Sequence, residues 1–484
     1  MLKNPTLRLT FFYAASLAFI LLNLWFVVKK DSLLINVLPF VFALVLLAIY
    51  SVDRLLYLVV FFTPLSVPLS QLRPGLPFDM NLPTEPLLFG VLLLFLLKLF
   101  SERNFDGKIL RHPVSWAIWI YLFWLFLTSF TSTMPVVSFK FLLVKIWFVT
   151  AFYLLAIKLF EEQKNIPTFI WIYIASFLIV IGYTIFRHTG YGLWNKQAAH
   201  FVMTPFFNDH TSYGAMLAMF IPFMTFFSFN RFGTARQKWL ARTVLMILLT
   251  AFVLSYTRAA WLSLFAAIGV WALLKLKIRF QTLLITFLSL TAFILVFQKQ
   301  IVLYLERNDD ESSSNLIEHF SSMSNITSDA SNLERLNRWS CAIRMFQDKP
   351  IFGYGPGTYM FQYAPYQLNR DRTSISTNAG DGGNAHSEYL GPLAETGLVG
   401  MLSVLFLFGT VIFTAIRTYS RLNDPRLKSL VAGALLGLVT YYVHGVMNNF
   451  LDTDKASVPF WGFTAVIVVL DLYSRKTAAA VEKQ

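Results

Sequence analysis

Long apolar runs, separated by short polar stretches, dominate the hydrophobic pattern of this 484-residue chain. A helix needs about 20 apolar residues to cross the hydrocarbon core of a bilayer, so each run predicts one membrane-spanning helix. The runs 55–71 and 85–100 are short or interrupted by proline, and either one can be re-entrant, which leaves twelve spans as an alternative to fourteen. The fourteen candidate spans are 9–28, 33–50, 55–71, 85–100, 114–132, 137–159, 166–186, 212–229, 239–257, 259–275, 280–298, 396–416, 429–449 and 456–474.

One long polar stretch, 299–395, breaks this pattern. Its first part, 308–332, is rich in Ser, Asp and Asn and is typical of a weakly ordered segment. The next part, 332–348, has apolar residues at helical spacing, which predicts an amphipathic helix near the membrane surface. The apolar positions are Leu333, Leu336, Trp339, Ile343, Met345 and Phe346.

The pattern therefore predicts an all-α fold, a polytopic membrane helix bundle of about 12–14 transmembrane helices with one large extracytoplasmic loop containing short helices. We expect transmembrane helices 1–11 with short loops in 1–298 and the large periplasmic loop in 299–395. The C-terminal transmembrane helices and a cytoplasmic tail follow in 396–484.

The composition excludes an ordinary soluble domain. Hydrophobic residues make up 56% of the chain and charged residues 14%, whereas soluble domains carry about 25% charge. The mean hydropathy is +0.59. The one cysteine, Cys341, excludes an intrachain disulfide and a cysteine-based metal site. The first apolar run has no small-residue cleavage site before Lys29 and Lys30, so we interpret it as a span and not as a removed signal peptide.

The net charge of +14 indicates membrane orientation and not nucleic-acid binding. Cytoplasmic loops of membrane proteins collect Lys and Arg. If both termini are cytoplasmic and the spans alternate, the inside segments hold 23 Lys and Arg and the short outside loops hold 7. This bias predicts two cytoplasmic termini, an even number of spans and an external 299–395 loop.

Three arginines are candidates for binding an anion. Arg258 lies between two apolar runs at the predicted outer end of a helix, where arginine is disfavoured. It either snorkels to lipid headgroups or supplies a fixed positive charge. Arg335 and Arg338 lie one turn apart, so two planar guanidiniums can share one helix face and bind a phosphate or diphosphate. The alternative is a solvated or headgroup-binding face.

His386 is the candidate for proton transfer. It follows a Gly-rich stretch and precedes an apolar helix at the predicted outer boundary. Its imidazole can act as a base near neutral pH, and the nearby Glu388 and Glu395 can orient it or an acceptor. A lone histidine is more often structural. Asn208, before another outer helix, is a weaker candidate and can simply cap that helix. Asp452 and Asp454 are expected to be solvated.

The sequence lacks the motifs that are typical of several reaction classes. The chain has no GxxxxGK[ST] loop, which argues against an ATP-driven motor, and no HExxH sequence. No Asp-x-Asp pair lies in the large outer loop, although Asp452 and Asp454 form one beside the last span. A metal-dependent mechanism is therefore not indicated, and no cofactor is expected.

Taken together, three segments resemble the bacterial O-antigen ligase and polymerase superfamily. LSYTRAAWL at 254–262 is similar to the family's Ser-Arg-Gly helix junction. ERLNRW at 334–339 and DKPIFGYGPGTY at 348–359 are similar to its Arg-x-x-x-Trp segment and Pro-x-x-Gly-x-Gly turn. NAHSEYLGPLAETGLVG at 384–400 is similar to its His-Asn-x-x-Leu and Glu-x-Gly run. Ala259 stands where the family often has Gly, and Ser387 where it often has Asn.

The resemblance implies a metal-independent glycosyltransferase in the bacterial inner membrane. Its donor would be an undecaprenyl-diphosphate-linked glycan and its acceptor a hydroxyl of lipid A-core or another glycan, with membrane lipids as surroundings and no nucleic acid. Arg258 and Arg335 would hold the diphosphate, with Arg338 as a helper, and His386 would serve the acceptor hydroxyl. Glu388, Glu395 and Asn208 would support them.

Three functional readings stay open. We place a ligase first on family frequency alone, and a surface-polysaccharide polymerase second. The third is a transporter without chemistry, for which paired repeats and midplane charges are typical. Lys140 and Lys145 are the clearest intramembrane charges, whereas the site candidates cluster in the outer loops.

The charge bias yields a topology prediction. Alkaline phosphatase fused after Lys299 should be active, because that reporter folds only outside the cytoplasm, and a fluorescent protein fused after Gln484 should be bright. Reporter activity typical of the cytoplasm at Lys299 would overturn the functional interpretation, since the lipid-linked donor is used on the outer face.

Overall fold

The computed structural model describes residues 5–31, 34–36, 38–39, 42, 46–47, 50–73, 79–102, 106–229, 233–276, 330–369, 372, 376 and 383–481. The chain divides into two compact units, Met1–Val59 and Val60–Gln484.

The first unit contains one long helix. Helix α1, Pro5–Lys30, is long and apolar enough to cross a membrane, and its large side chains are exposed. Lys29 and Lys30 occupy its last turn, where positive charge interacts favourably with the helix dipole. A 3₁₀ turn at Leu34–Asn36 follows, and helix α2, Val52–Phe62, begins in this unit.

The second unit is helical apart from one short hairpin. Its first elements are β1 Val67–Pro68, α3 Leu69–Leu72, β2 Asn81–Leu82, α4 Thr84–Glu102, α5 Gly107–Leu110, α6 Pro113–Phe130, α7 Pro135–Val149, a π-helical stretch Thr150–Leu155 and α8 Ala156–Phe160. Then come α9 Asn165–Tyr191, α10 Lys196–Ala199, α11 His210–Phe229, α12 Ala235–Leu254 and α13 Arg258–Lys275. The last elements are α14 Ala330–Asp348, α15 Tyr359–Gln362, a 3₁₀ turn Ala364–Tyr366, α16 Leu390–Arg421, α17 Pro425–His444 and α18 Asp454–Val481.

Eleven helical segments in the described part of the chain can cross a membrane by length and composition. The predicted all-α polytopic architecture is confirmed. The run 85–100 forms a complete span in α4, whereas the run 55–71 is divided, because α2 ends at Phe62 and β1 pairs antiparallel with β2. The run 280–298, the segment 299–329 and most of the run 33–50 lie outside the described residues.

Large apolar side chains cover the outside of the spans. Phe123 is 62% exposed, and Ile179, Phe265 and Phe406 are also exposed. A polar solvent would penalise so much apolar surface, whereas lipid does not, so these residues fit a lipid-facing surface.

Small residues bring the central helices close together. A Cβ on Gly437 of α17 would lie 2.6 Å from the carbonyl oxygen of Met219 in α11, and a Cβ on Gly433 would lie 2.7 Å from the Phe223 ring. Close approach of backbones is a general means of packing membrane helices. Since α17 packs against α11 and α13, the end of α17 lies beside the first residues of the other two helices.

Helix α16 begins at Leu390, five positions before the predicted end of the outer loop. It is broken at Gly397, whose φ of 70° lies in the left-handed region. A Cβ there would lie 2.1 Å from the carbonyl oxygen of Ile351, and Leu398 N–H donates to the Pro350 carbonyl at 3.0 Å. The glycine thus lets the 350–351 backbone pack against this break.

The two ends of the bundle have different chemistry. At one end, the buried Asp471 accepts hydrogen bonds from Thr418 Oγ1 at 3.0 Å and Arg475 Nε at 2.6 Å, and contacts His112 Nε2 at 3.2 Å. Such pairing compensates the cost of burying a charge. The candidate site lies at the opposite end, where α11, α13 and α16 begin and α17 ends.

Candidate functional site

The first residues of α11 and α13 lie in direct contact. Thr257 Oγ1 donates a hydrogen bond to the carbonyl oxygen of His210 at 2.8 Å. Gly214 allows this contact, because a Cβ there would lie 2.7 Å from Thr257 Oγ1. Arg258, the first residue of α13, is exposed beside this junction and interacts electrostatically with His210.

Arg335 of α14 interacts electrostatically with this junction and with the two segments that carry His386 and His444. Its side chain is half-buried and interacts electrostatically with His210, His386 and His444. Arg258 and Arg335 both act on His210, and Arg335 also acts on His386. The structure therefore brings together three site residues that were predicted from the sequence: Arg258, Arg335 and His386.

The predicted helix over 332–348 is present as α14, and the side that packs against the protein is not formed by the predicted apolar residues alone. Leu336 and Ile343 are 38% and 43% exposed. The buried side instead carries polar residues together with the small core around Cys341. An internal ion pair makes this possible, because it satisfies charges that hydropathy alone would place in water.

Arg338 belongs to that ion pair. Its Nε donates to Glu334 Oε1 at 2.6 Å, and its guanidinium lies 4.0 Å from the centre of the Tyr363 ring. The side chain is 4% exposed. A Cβ on Gly383 would lie 1.6 Å from Arg338 Nη1, so the segment leading to His386 passes directly against the guanidinium. Arg338 and Arg335 thus have different surroundings although they are three residues apart.

His386 is held in an uncommon backbone conformation. Its φ is 48°, a value that non-glycine residues adopt rarely and often at functional sites. Its N–H donates to Asn384 Oδ1 at 3.1 Å, and its carbonyl accepts from Trp339 Nε1 at 3.3 Å. Burial, together with the positive charges of Arg335 and Arg338, lowers the pKa of His386 to about 4. The imidazole is therefore neutral at pH 7 and can accept a proton.

Glu388 fastens the last outer loop, 445–453, to the segment that carries His386. Its Oε1 accepts hydrogen bonds from the Phe450 and Leu451 amides at 2.8 and 2.9 Å and from the Tyr441 hydroxyl. Its own N–H donates to the Gly445 carbonyl at 2.8 Å. Burial and the nearby Asp452 raise the pKa of Glu388, whereas Lys145 opposes this shift.

Glu395 stabilises the Gly-rich turn after α14. Its carboxylate accepts from the Tyr359 amide at 3.0 Å, and its carbonyl accepts from the Gly355 amide at 2.7 Å. Gly355 has a φ of 115°, and a Cβ there would lie 1.9 Å from Ser132 Oγ. This carboxylate therefore fixes a turn of the outer loop against α6 and α7.

Asn208 was the predicted site residue before α11, but the next residue, Asp209, makes the contacts with α11 and with the site histidines. Asn208 is exposed. Asp209 Oδ1 accepts from the Ser212 amide at 2.8 Å, which caps α11. Asp209 also interacts electrostatically with His210, His386 and His444.

The expectation that Asp454 is solvated is wrong. It is fully buried, and its Oδ2 accepts hydrogen bonds from the Ser66 and Thr84 hydroxyls. Asp452 is 48% exposed and pairs with Lys145 Nζ at 2.7 Å. Lys145 also donates to the Leu451 carbonyl at 2.9 Å, so this intramembrane charge supports the last outer loop.

Sequence reasoning missed His444, the last residue of α17. A lone histidine at the end of an apolar run has no distinguishing local signal, and only the packing of α17 against α11 and α13 brings it to the site. Within the described ranges, no group of three or more His, Cys, Asp or Glu side chains is arranged to hold a metal ion.

A family model described as O-antigen ligase matches residues 243–405. This part of the chain is therefore similar to the O-antigen ligase family, which agrees with the resemblance found in the sequence. This family consists of glycosyltransferase-like enzymes. The matched region contains Arg258, Arg335, Arg338, His386 and both candidate glutamates, whereas Asn208 and His444 lie outside it. No curated protein matches the chain.

The low pKa of His386 is directly testable with diethyl pyrocarbonate, which acylates only neutral imidazole. An ordinary histidine, with a pKa near 6.5, becomes about tenfold less reactive between pH 7.5 and 5.5. His386, with a pKa of about 4, should react at nearly the same rate at both values. Mass spectrometry of the peptide containing residue 386 measures the rate, with N-acetylhistidine in the same tube as the reference. A tenfold decrease at His386 would contradict the assignment.

Proposed function

We propose that this chain is a ligase-like glycosyltransferase of the bacterial inner membrane. It moves a glycan from undecaprenyl diphosphate to an acceptor hydroxyl, on lipid A-core or a similar glycan, at the outer face. The observation that supports this most is the convergence of Arg258, Arg335 and a neutral His386 at one end of a membrane helix bundle.

Arg258 and Arg335 are assigned to the donor diphosphate. Guanidinium groups match phosphate oxygens with paired donors and stay charged at every physiological pH. When the bond between the sugar C1 and the diphosphate oxygen breaks, the electron pair leaves with the diphosphate. Fixed positive charges at that point stabilise the transition state. Arg258 also begins α13, whose first backbone N–H groups favour an anion.

His386 is assigned to the acceptor. A hydroxyl becomes a stronger nucleophile when a base takes its proton as the new C1–O bond forms. A neutral imidazole fits this role, and its backbone is fixed by Asn384 and Trp339. Arg338 is assigned a positioning role, because the ion pair with Glu334 and the contact with Gly383 hold the His386 segment in place.

The alternative acceptor is a second lipid-linked repeat, which would make the chain a polymerase. Both reactions use the same donor and the same proton transfer, so the site residues serve either one. The choice of a ligase rests on family frequency. Transport is disfavoured by the contacts of Lys145, which bind the outer loop and do not line a midplane site.

Complementation of a strain that lacks this chain tests the proposal. A ligase deletion accumulates polymer on the undecaprenyl carrier, a polymerase deletion accumulates single repeats, and wild-type protein restores either defect. We expect a His386→Gln protein, expressed at wild-type level in the membrane, to lose about a hundredfold or more of the activity, because an amide can hydrogen-bond but cannot act as a base. Near-normal glycan transfer by His386→Gln would remove His386 from the mechanism.

The donor assignment predicts that Arg335→Lys is severely impaired. Lysine keeps the charge but loses the paired donors, so the transfer rate should fall by about tenfold or more. Transfer by purified protein from the extracted lipid-linked glycan measures this. The matched control is Arg344→Lys on the same helix, since Arg344 Nη1 donates to the Tyr366 carbonyl at 2.6 Å and lies outside the proposed site. Equal activity of the two variants would show that Arg335 does not bind the diphosphate.

A further inference from the structure

The end of α17 carries a set of buried polar atoms that need an explanation. His444 is 1% exposed and Asn448 is 3% exposed. Neither ring nitrogen of His444 has a hydrogen-bond partner within the described residues, and the same holds for Asn448 Nδ2 and Asn449 Oδ1. Buried polar side chains are normally paired, and each exception calls for a reason such as a ligand.

Other buried histidines in the described ranges differ from His444. His112 Nε2 lies 3.2 Å from Asp471 Oδ2, and His188 Nε2 lies 3.0 Å from the Asn195 carbonyl. Both are explained by contacts within the protein. His444 instead interacts electrostatically with Arg335 and Asp209, which belong to the candidate site.

The loop that carries these atoms is held firmly beside His386. Glu388 binds the Gly445 carbonyl and the amides of Phe450 and Leu451, and Tyr389 Oη donates to the Tyr442 carbonyl at 2.8 Å. The unsatisfied atoms therefore lie on a fixed backbone that is hydrogen-bonded to Glu388, two residues after the proposed base. A fixed set of polar groups can bind a ligand without first being ordered.

The chemistry of the set indicates what it binds. Whichever tautomer it adopts, a neutral imidazole offers one donor and one acceptor. Asn448 adds a donor and Asn449 adds an acceptor. A diphosphate offers only acceptors and is matched by guanidiniums, which are only donors. A sugar hydroxyl both donates and accepts, so this mixed set matches hydroxyls and not the anion.

We propose that His444, Asn448 and Asn449 form a subsite for sugar hydroxyls, next to the arginines and His386, that positions the glycan during transfer. This proposal rests on the proposed function. The hydroxyls belong either to the donor sugar next to the diphosphate or to the acceptor. In either case, a glycan would lie between α17 and α14.

His444→Phe tests the subsite, because phenylalanine keeps most of the ring volume and loses both hydrogen bonds. The full chain is studied in lipid nanodiscs, with the lipid-linked glycan extracted from the deletion strain as donor and that strain's acceptor glycolipid. Loss of one or two hydrogen bonds should raise the KM of one of these substrates about tenfold, with a smaller change in kcat. A raised donor KM places the subsite on the donor sugar, and a raised acceptor KM places it on the acceptor.

Direct binding separates this proposal from the proposed function. Undecaprenyl diphosphate without sugar should bind wild type and His444→Phe within twofold, whereas the glycan-bearing lipid or the acceptor glycolipid should bind the variant about tenfold more weakly. If wild-type protein transfers no glycan, the proposed function fails, and this comparison still decides the subsite. Equal weakening of the bare carrier would assign His444 to the anion site and overturn the proposal, as would unchanged binding and KM for every substrate.

Two further variants guard against effects on folding. His188→Phe removes a buried histidine at the end of α9, outside the site, and should leave both KM values unchanged. If His444→Phe is not monodisperse, Asn448→Leu replaces it, since leucine has a similar shape and lacks the amide. The same selective loss of glycan binding is expected, and its absence would contradict the subsite.

Discussion

The carboxylate of Glu388 makes the contacts on which the candidate site depends. It accepts hydrogen bonds from two backbone amides of the 445–453 loop and from Tyr441, while its own N–H donates to Gly445. Hydrogen bonds to a charged group contribute about 1.5–3 kcal/mol each, more than neutral ones. Glu388 thereby joins the segment of the proposed base to the end of α17, although 57 positions of chain separate Glu388 from Gly445. This junction acts together with the Thr257–His210 and Tyr389–Tyr442 hydrogen bonds to fix the ends of the helices that carry the site residues.

Electrostatic pairing then distinguishes the two ends of the bundle. At one end, Asp471 is surrounded by His112, Thr418 and Arg475, and these contacts account for its burial within the protein. At the other end, Lys145 and Asp452 support the outer loop in the same way, and Arg338 pairs with Glu334. Arg258 and Arg335 both act on the His210 imidazole, and Arg335 also acts on His386.

The sequence was sufficient for the class of fold and for a resemblance whose segments lie in the region that the family model matches. Apolar runs near 20 residues predicted the spans because lipid imposes a length that water does not. Arg258 was found because arginine is disfavoured at an outer helix end, Arg335 because it shares a helix face with Arg338, and His386 because it follows a Gly-rich stretch before a helix. The hydrophobic pattern did not predict the polar buried side of α14, where the Glu334–Arg338 pair and the Tyr363 ring satisfy charges that the pattern assigns to water. It also did not predict the burial of Asp454 or the position of His444, which depend on contacts with helices far away in the chain.

The charges around His386 also suggest an order of events in the proposed reaction. Burial and the charges of Arg335 and Arg338 keep the pKa of His386 at about 4, so in the free protein it is a weak base. A diphosphate bound to Arg335 would offset that arginine's share of the shift and raise the pKa of His386, while the larger effect of burial would remain. A stronger base removes a hydroxyl proton more readily, and its best pKa lies near the working pH. The acceptor would therefore be activated mainly when the donor is in place, so one arginine would link the binding of the leaving group to the strength of the base.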